Sequence, residues 1–282
     1  MAKTQTGNWC GKTIAEGRFE VMTLLGEGGM GQAYRARDRK YERDVVIKVP
    51  HLVLLRDPEF AKRFQREIES LRQLVHPHIV PVLCGGIHSG IPFVVLRYMP
   101  DGSLAEKIES TSLSDRIALL QNWLPQIADA LDFVHESGFI HRDVKPDNIF
   151  FDEQGQAYLG DFGIVKAASE ATDSREGTRL TMTGTVIGTP EYMAPEMAMG
   201  EDYDHRSDQY SLAVTAYESL DGTPPFQGPT PAAILVKLTT TDVPDLSSKH
   251  ASISTGLSDA VSYGLSKEPE DRFDSCSEFA TA

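Results

Sequence analysis

The chain is poor in cysteine: Cys10, Cys84 and Cys276 are the only three in 282 residues. Odd in number and widely scattered, they fit neither a disulfide framework nor a zinc-ligand spacing, and all three read as small buried hydrophobes. The eight histidines are dispersed too. Long apolar runs are also missing. The longest, about six residues around Ile91 to Leu96, falls far short of the roughly 20 that cross a bilayer, so no membrane contact is expected within this chain. Before Trp9 there is one lysine, Lys3, and no apolar stretch, so the opening segment does not read as a signal peptide. A cytoplasmic setting is the expectation. Neither internal repeats nor low-complexity tracts occur.

What is present is an ordinary globular composition, 40% hydrophobic and 24% charged, with a formal net charge of -14. The acidity is lopsided: residues 1–100 carry 15 Lys+Arg against 10 Asp+Glu, and residues 101–282 carry 12 against 31. Such a field repels nucleic acid and attracts basic segments, or it is simply a solvated face that aids solubility.

Apolar periodicity changes along the chain. Phe19, Val21 and Leu24 lead into a Gly-rich turn, Tyr34 and Ala36 follow, and Val45, Val46, Ile47 and Val49 form a β-branched run; three antiparallel strands are the simplest reading. Asp57-Pro58 offers an N-cap and a first-turn proline for a helix marked by Phe60, Phe64, Ile68, Leu71 and Leu74. Ile91 to Tyr98 reads as a further strand, ended by the turn Pro100-Asp101-Gly102. Beyond it, Ile117, Leu120, Leu124, Ile127, Leu131 and Val134 keep the helical period, with a kink expected near residues 121–125 because Pro125 is interior. Further helices are expected over 208–220 and from Pro231 and Ser258. The fold class is therefore α+β and two-lobed: a β-rich lobe with one main helix over 1–98 and an α-rich lobe over 99–282.

The chemistry concentrates in His141-Arg142-Asp143-Val144-Lys145-Pro146-Asp147-Asn148, followed by Asp161-Phe162-Gly163. That order places a candidate base and two oxygen-bearing metal ligands, Asn148 and Asp161, in one stretch. Upstream, Gly26, Gly28 and Gly31 match a G-x-G-x-x-G pattern that a dinucleotide site would also show. A strand-like segment and a Lys-bearing strand follow it, however, instead of a helix and an acidic strand end.

With these motifs in this order, the chain resembles the protein Ser/Thr kinases, most closely the bacterial receptor-type family related to eukaryotic kinases. The resemblance covers about 260 residues from Phe19 onward. It implies the two-lobed kinase fold and transfer of the ATP γ-phosphoryl group to protein Ser/Thr hydroxyls, with ATP and Mg2+ (or Mn2+) as cofactors. Gly26, Gly28 and Gly31 would admit the phosphates; Lys48 would reach them, held by Glu67. Ala33 and Val46, whose volumes are exchanged relative to the family pattern, would form a reshaped roof over adenine. Phe150 would be its floor, Leu96 the gatekeeper, and the backbones of Arg97 and Met99 its partners. Asp143 would accept the substrate hydroxyl's proton, Lys145 would neutralise the migrating phosphoryl group, and Asn148 and Asp161 would hold the metal. Lys145 with Thr189 marks Ser/Thr specificity in the family. Glu196 would pair with Arg272 in a partly buried salt bridge, Asp208 would bind the catalytic-loop backbone, and Leu71, Val82, His141 and Phe162 would stack as an internal spine.

Two regulatory expectations accompany this reading. Thr181 or Thr183, in the polar stretch 168–185, would be autophosphorylated and clamped by Arg142, with a homodimer as the autophosphorylating species. Acceptor sites would carry flanking Lys or Arg, with Asp147 as one contact. A pseudokinase scaffold and a small-molecule phosphotransferase are the rivals. Lys48, Glu67, Asp143, Asn148 and Asp161 argue against the first, and the Ala194-Pro195-Glu196 closure against the second. The last residues read as an unfinished helix, which suggests a domain excised from a longer protein.

Overall fold

Alternating β-branched and aromatic residues build the first of two compact units seen in a computed structural model, which describes residues 9–28, 31–57, 59–162 and 189–282. That unit comprises, among the described residues, 9–75 and Val80–Met99. Its six strands are β1(Thr13–Ile14), β2(Phe19–Glu27), β3(Gly31–Asp38), β4(Arg43–Pro50), β5(Val82–His88) and β6(Ile91–Arg97). They form one antiparallel sheet in the order β1-β2-β3-β4-β6-β5. Val21, Tyr34, Val45, Ile47 and Val95 are nearly inaccessible and fill one core. On β4 the alternation is clean, with Val45, Ile47 and Val49 buried and Val46 and Lys48 half-buried on the other face.

Helix α1(Phe60–Leu71) buries Phe60, Phe64, Ile68 and Leu71 along one stripe. It packs on β5 and β6. Gly85 makes the close approach feasible, since a Cβ there would sit 2.9 Å from Ile68 Cδ1. The expected Asp57 cap is corrected: the N-cap position is Glu59, and it has no side-chain cap bond. Asp57 instead accepts from the Glu59 amide at 2.9 Å and pairs with Arg63. Its carboxylate, two residues too early to cap, staples the approach to the helix.

The second unit comprises His76–Ile79, Pro100–Phe162 and 189–282. Its helices are α2(Leu104–Ser110), α3(Arg116–Glu136), α4(Pro195–Met199), α5(Arg206–Asp221), α6(Pro231–Thr240), α7(Leu246–Lys249), α8(Thr255–Gly264) and α9(Cys276–Thr281). A hairpin of β7(Ile149–Phe151) and β8(Ala157–Leu159) lies among them. α3 runs unbroken through Pro125. α5 is buried nearly all round, so it carries no amphipathic signature, and Gly222 ends it in the left-handed region at φ 89. Trp123 ties the two helices together, its Nε1 donating to Ser219 Oγ at 3.2 Å. The last interior helix starts at Thr255 with Ser254 as its cap, earlier than the sequence reading placed it, because Ser258 is a buried residue one turn in.

Candidate active site

In the first unit, strand register fixes which residues share a face. Ala33 pairs with Lys48, and Val46 with both Arg35 and Leu96, so the half-buried Ala33, Val46 and Lys48 and the buried Leu96 lie on the face opposite the core. Gly26 pairs with Ala33, and the Gly28 amide donates to Gly31 O at 2.9 Å across the turn. A Cβ on Gly31 would come within 2.3 Å of Val49 O, so backbone packing alone demands glycine there. Among the described residues nothing lies within 4 Å of a Cβ built on Gly26 or Gly28. Packing against those residues does not require glycine at these two places, whereas close approach of a ligand to the turn would. Arg97 pairs with Val45 at the end of β6, and Met99 follows, buried. Glu67 is half-buried on α1, one residue before the core-facing Ile68.

In the second unit, a buried carboxylate organises the loop that carries Asp143. Asp208, 1% exposed on α5, accepts from the amides of His141 at 2.7 Å and Arg142 at 2.8 Å, and from His135 Nε2 at 2.8 Å. Burial would push its carboxyl up, but the His135 hydrogen bond and the nearby imidazoles hold it below the ordinary carboxylate range. This anchorage accompanies an uncommon backbone, with Arg142 at φ 65. His141 Nε2 donates to Gly160 O at 3.0 Å, leaving Nδ1 to accept from the Asp143 amide at 3.4 Å. Its ring meets Phe162 edge-on at 4.7 Å.

Asp143 Oδ2 is where the polar groups converge. It accepts from Asn148 Nδ2 at 2.8 Å and lies 3.2 Å from Lys145 Nζ. Lys145 also donates to Thr189 Oγ1 at 3.2 Å, so one ammonium spans Asp143 and Thr189. Asn148 is 4% exposed, and its Nδ2 donates a second time, to Asp143 O at 2.7 Å. Both amide hydrogens are thus engaged, and its remaining polar atom is Oδ1, a hard oxygen. Asp161 is half-buried with φ 59, a left-handed backbone uncommon for a non-glycine residue. The Gly160 amide donates to Asn148 O at 2.8 Å, coupling the two segments. An amide oxygen and a carboxylate, on segments joined in this way, suit a hard divalent cation. Phe150 is half-buried on β7, paired with Tyr158.

An acidic group adjoins this loop. Tyr192 donates to Glu218 Oε2 at 2.6 Å. Burial pushes the Glu218 carboxyl up, and the charges of Asp147 and Glu191 push it the same way. Glu191 Oε2 is buried and, among the described residues, has no hydrogen-bond partner. Sequence reading found Asp147 but missed Glu191 and Glu218, since their assembly depends on tertiary packing against α5.

Below the loop, Glu196 and Arg272 form a bidentate pair at 2.9 and 2.8 Å, with side chains 3% and 0% exposed. The pair is fully buried, not partly buried as expected. Arg142 is exposed, its guanidinium 5.4 Å from the Tyr203 ring. Thr181 and Thr183 lie outside the described residues, as does Gly163.

Residues 19–280 match the family model described as "Protein kinase domain". The chain is 36% identical over 266 residues to the serine/threonine-protein kinase PknB of Mycolicibacterium smegmatis, covering 93% of this chain and 41% of that protein. To the serine/threonine-protein kinase pkn3 of Myxococcus xanthus it is 36% identical over 279 residues, covering 96% and 50%. It spans half or less of the length of these relatives. Among solved structures, the PknI kinase domain of Mycobacterium tuberculosis superposes with a TM-score of 0.69 at 29% identity, covering 98% of both chains.

Proposed function

Because the chain belongs to the protein kinase family, we propose that it is an active serine/threonine kinase that transfers the γ-phosphoryl group of ATP to protein hydroxyls. The observation that carries this reading is the convergence of Asn148 and Lys145 on one oxygen of Asp143, with Lys145 also reaching Thr189.

Asp143 would accept the hydrogen bond and then the proton of the incoming hydroxyl. Asn148 holds its carboxylate in place, so little reorganisation is needed at the moment of transfer. Lys145 would stabilise the charge of the migrating group, and its tie to Thr189 matches the family's Ser/Thr pattern. Asn148 Oδ1 and the Asp161 carboxylate would hold Mg2+, or Mn2+ in its place. When bound, the ions offset phosphate charge and orient the transferring group. Gly26, Gly28 and Gly31 would admit the phosphates, and Lys48, backed by Glu67, would contact them. Ala33, Val46, Leu96, the backbones of Arg97 and Met99, and Phe150 would receive the adenine. Incubation with γ-labelled ATP and either protein or small hydroxylated metabolites tests the reading. Label on protein Ser or Thr supports it; label on the metabolites, or none at all, contradicts it.

Three finer proposals attach to it. The Asp147, Glu191 and Glu218 carboxylates would receive a Lys or Arg beside the acceptor residue, and Glu191 Oε2 supplies a buried acceptor for it. A charge-assisted hydrogen bond contributes ~1.5–3 kcal/mol. Glu191→Gln together with Asp147→Asn should therefore lower kcat/KM for an Arg-flanked peptide at least tenfold at low salt, with little change for a neutral one. Equal losses on both peptides would count against the contact. Phosphorylation of Thr181 or Thr183, in trans within a homodimer, would give Arg142 a phosphate to clamp, and a Thr181→Ala/Thr183→Ala chain should lose most peptide-kinase activity. Undiminished activity would remove that idea. A cytoplasmic setting, where ATP is available, suits this activity; among the described residues no helix is long and apolar enough to cross a membrane.

A further inference from the structure

Far apart in sequence, Asp132 and His135 on α3 and Cys276 at the start of α9 come together. One carboxylate oxygen, one imidazole nitrogen and the thiol sulfur all lie within 4.8 Å of one another. Asp132 and His135 stand three residues apart and so share a helix face, the spacing by which helical bundles present a carboxylate and an imidazole to one ion. Cys276 is 1% exposed, and the His135 side chain 9%. Asp132 is half-buried, which leaves an approach from solvent.

We propose that Asp132, His135 and Cys276 form a binding site for a borderline divalent cation of the Zn2+ class, clasping α9 to α3. The donor set is the first reason. A thiolate and an imidazole beside one carboxylate select zinc-like ions and disfavour Mg2+ and Ca2+. The second reason is independent of the first. Metal-bound histidines characteristically donate their other ring N–H to a carboxylate, which fixes the tautomer. His135 does this already: Nε2 donates to the buried Asp208 at 2.8 Å, which leaves Nδ1 as the lone-pair nitrogen. Asp132 keeps coordinating capacity, because the amides of Cys276 and Ser277, each at 2.9 Å, and the Cys276 thiol occupy three of a carboxylate's roughly four acceptor positions, and the thiol's is released when its proton leaves.

With bonds of about 2.1 Å, tetrahedral ligand atoms stand roughly 3.5 Å apart. Closure of about 1 Å therefore completes the site, with solvent as fourth ligand. On binding, a metal–sulfur bond replaces the S–H bond of Cys276, and the thiol proton leaves to water. Because Asp208 also holds the amides of His141 and Arg142, the site adjoins the support of the Asp143 loop.

Co2+ is the probe, since a thiolate ligand gives an intense near-ultraviolet charge-transfer band that oxygen ligands of a nucleotide site do not. The intact chain should titrate to one such band per molecule, bleached by equimolar Zn2+, and Zn2+ should raise its Tm by several degrees. Cys276→Ala should lose both the band and the Tm response. The Cys10→Ala/Cys84→Ala variant, in which Cys276 is the sole thiol, should keep them, and it answers the question even if Cys276→Ala does not fold. Absence of the band in the intact chain, or its survival in Cys276→Ala, would overturn the proposal, as would its loss from the Cys10→Ala/Cys84→Ala variant.

Discussion

Replacing Asp143 by Asn should slow phosphoryl transfer by about 10²- to 10⁴-fold, the range of a positioned proton acceptor, while changing stability by only ~0.5 kcal/mol. The substituted side chain keeps the shape of the original and can turn its carbonyl oxygen toward Asn148 and Lys145, which now meet at Asp143 Oδ2. What it cannot keep is the basicity. The loss should therefore fall on kcat, with KM for ATP nearly unchanged, because the residues assigned to the nucleotide are other ones. Steady-state kinetics with a protein acceptor, paired with a thermal melt, separates these contributions. A loss of less than tenfold would mean that the hydroxyl does not deliver its proton to this carboxylate.

The largest effect on stability is expected at Arg272. Every one of its five N–H groups has a partner: Glu196 twice, and the carbonyls of Ser266, Arg206 and Lys267. Arg272→Ala would leave a carboxylate buried without its counter-charge, and breaking such a pair from one side costs ~3–5 kcal/mol. For a domain of this size, Tm should fall by roughly 10 °C. The effect has a defined pH dependence. Burial pushes the Glu196 carboxyl up, but the Arg272 and Ser207 contacts outweigh it and hold the group below its ordinary value of 4.5. A depressed carboxylate contributes stability that is complete above the unfolded value and disappears as pH falls through the folded one. The gap between wild type and Arg272→Ala should be widest near neutrality and should narrow below about pH 4.5. Urea melts at pH 7 and pH 3.5 read this out, and a gap that stays constant would show that the pair's electrostatics are not its source.

Local chemistry was legible in the sequence wherever it was contiguous. The β4 alternation at Val45, Ile47 and Val49 and the α1 stripe at Phe60, Phe64, Ile68 and Leu71 gave the first unit, because periodicity records which face is buried. Strand β5 escaped that reading: Gly85 and Gly86 interrupt its pattern, and they are there to admit Ile68 and Phe93 at less than ordinary Cβ distance. Helix α2 did carry a signal, the capping box of Ser103 and Glu106, that the apolar pattern alone did not disclose. At the candidate site, Asp143, Lys145, Asn148 and Asp161 stand in recognisable motifs, so their positions could be read directly. The residues that support them could not. His135, Asp208, Glu191 and Glu218 acquire their roles from helices packed across the second unit, as do Asp132 and Cys276. No spacing rule reaches across 144 residues, the separation between Asp132 and the Cys276 amide it holds. The pair of Glu196 and Arg272 was anticipated from family resemblance, and only the structure shows how completely it is buried.

Phosphoamino-acid analysis of a mixed protein substrate, after incubation of the chain with γ-labelled ATP and Mg2+, bears most directly on the central claim. The label should appear on serine and threonine, and it should all but vanish with Asp143→Asn. Label confined to tyrosine, or undiminished when position 143 has lost its carboxylate, would contradict the assignment of that side chain as the proton acceptor of a Ser/Thr kinase.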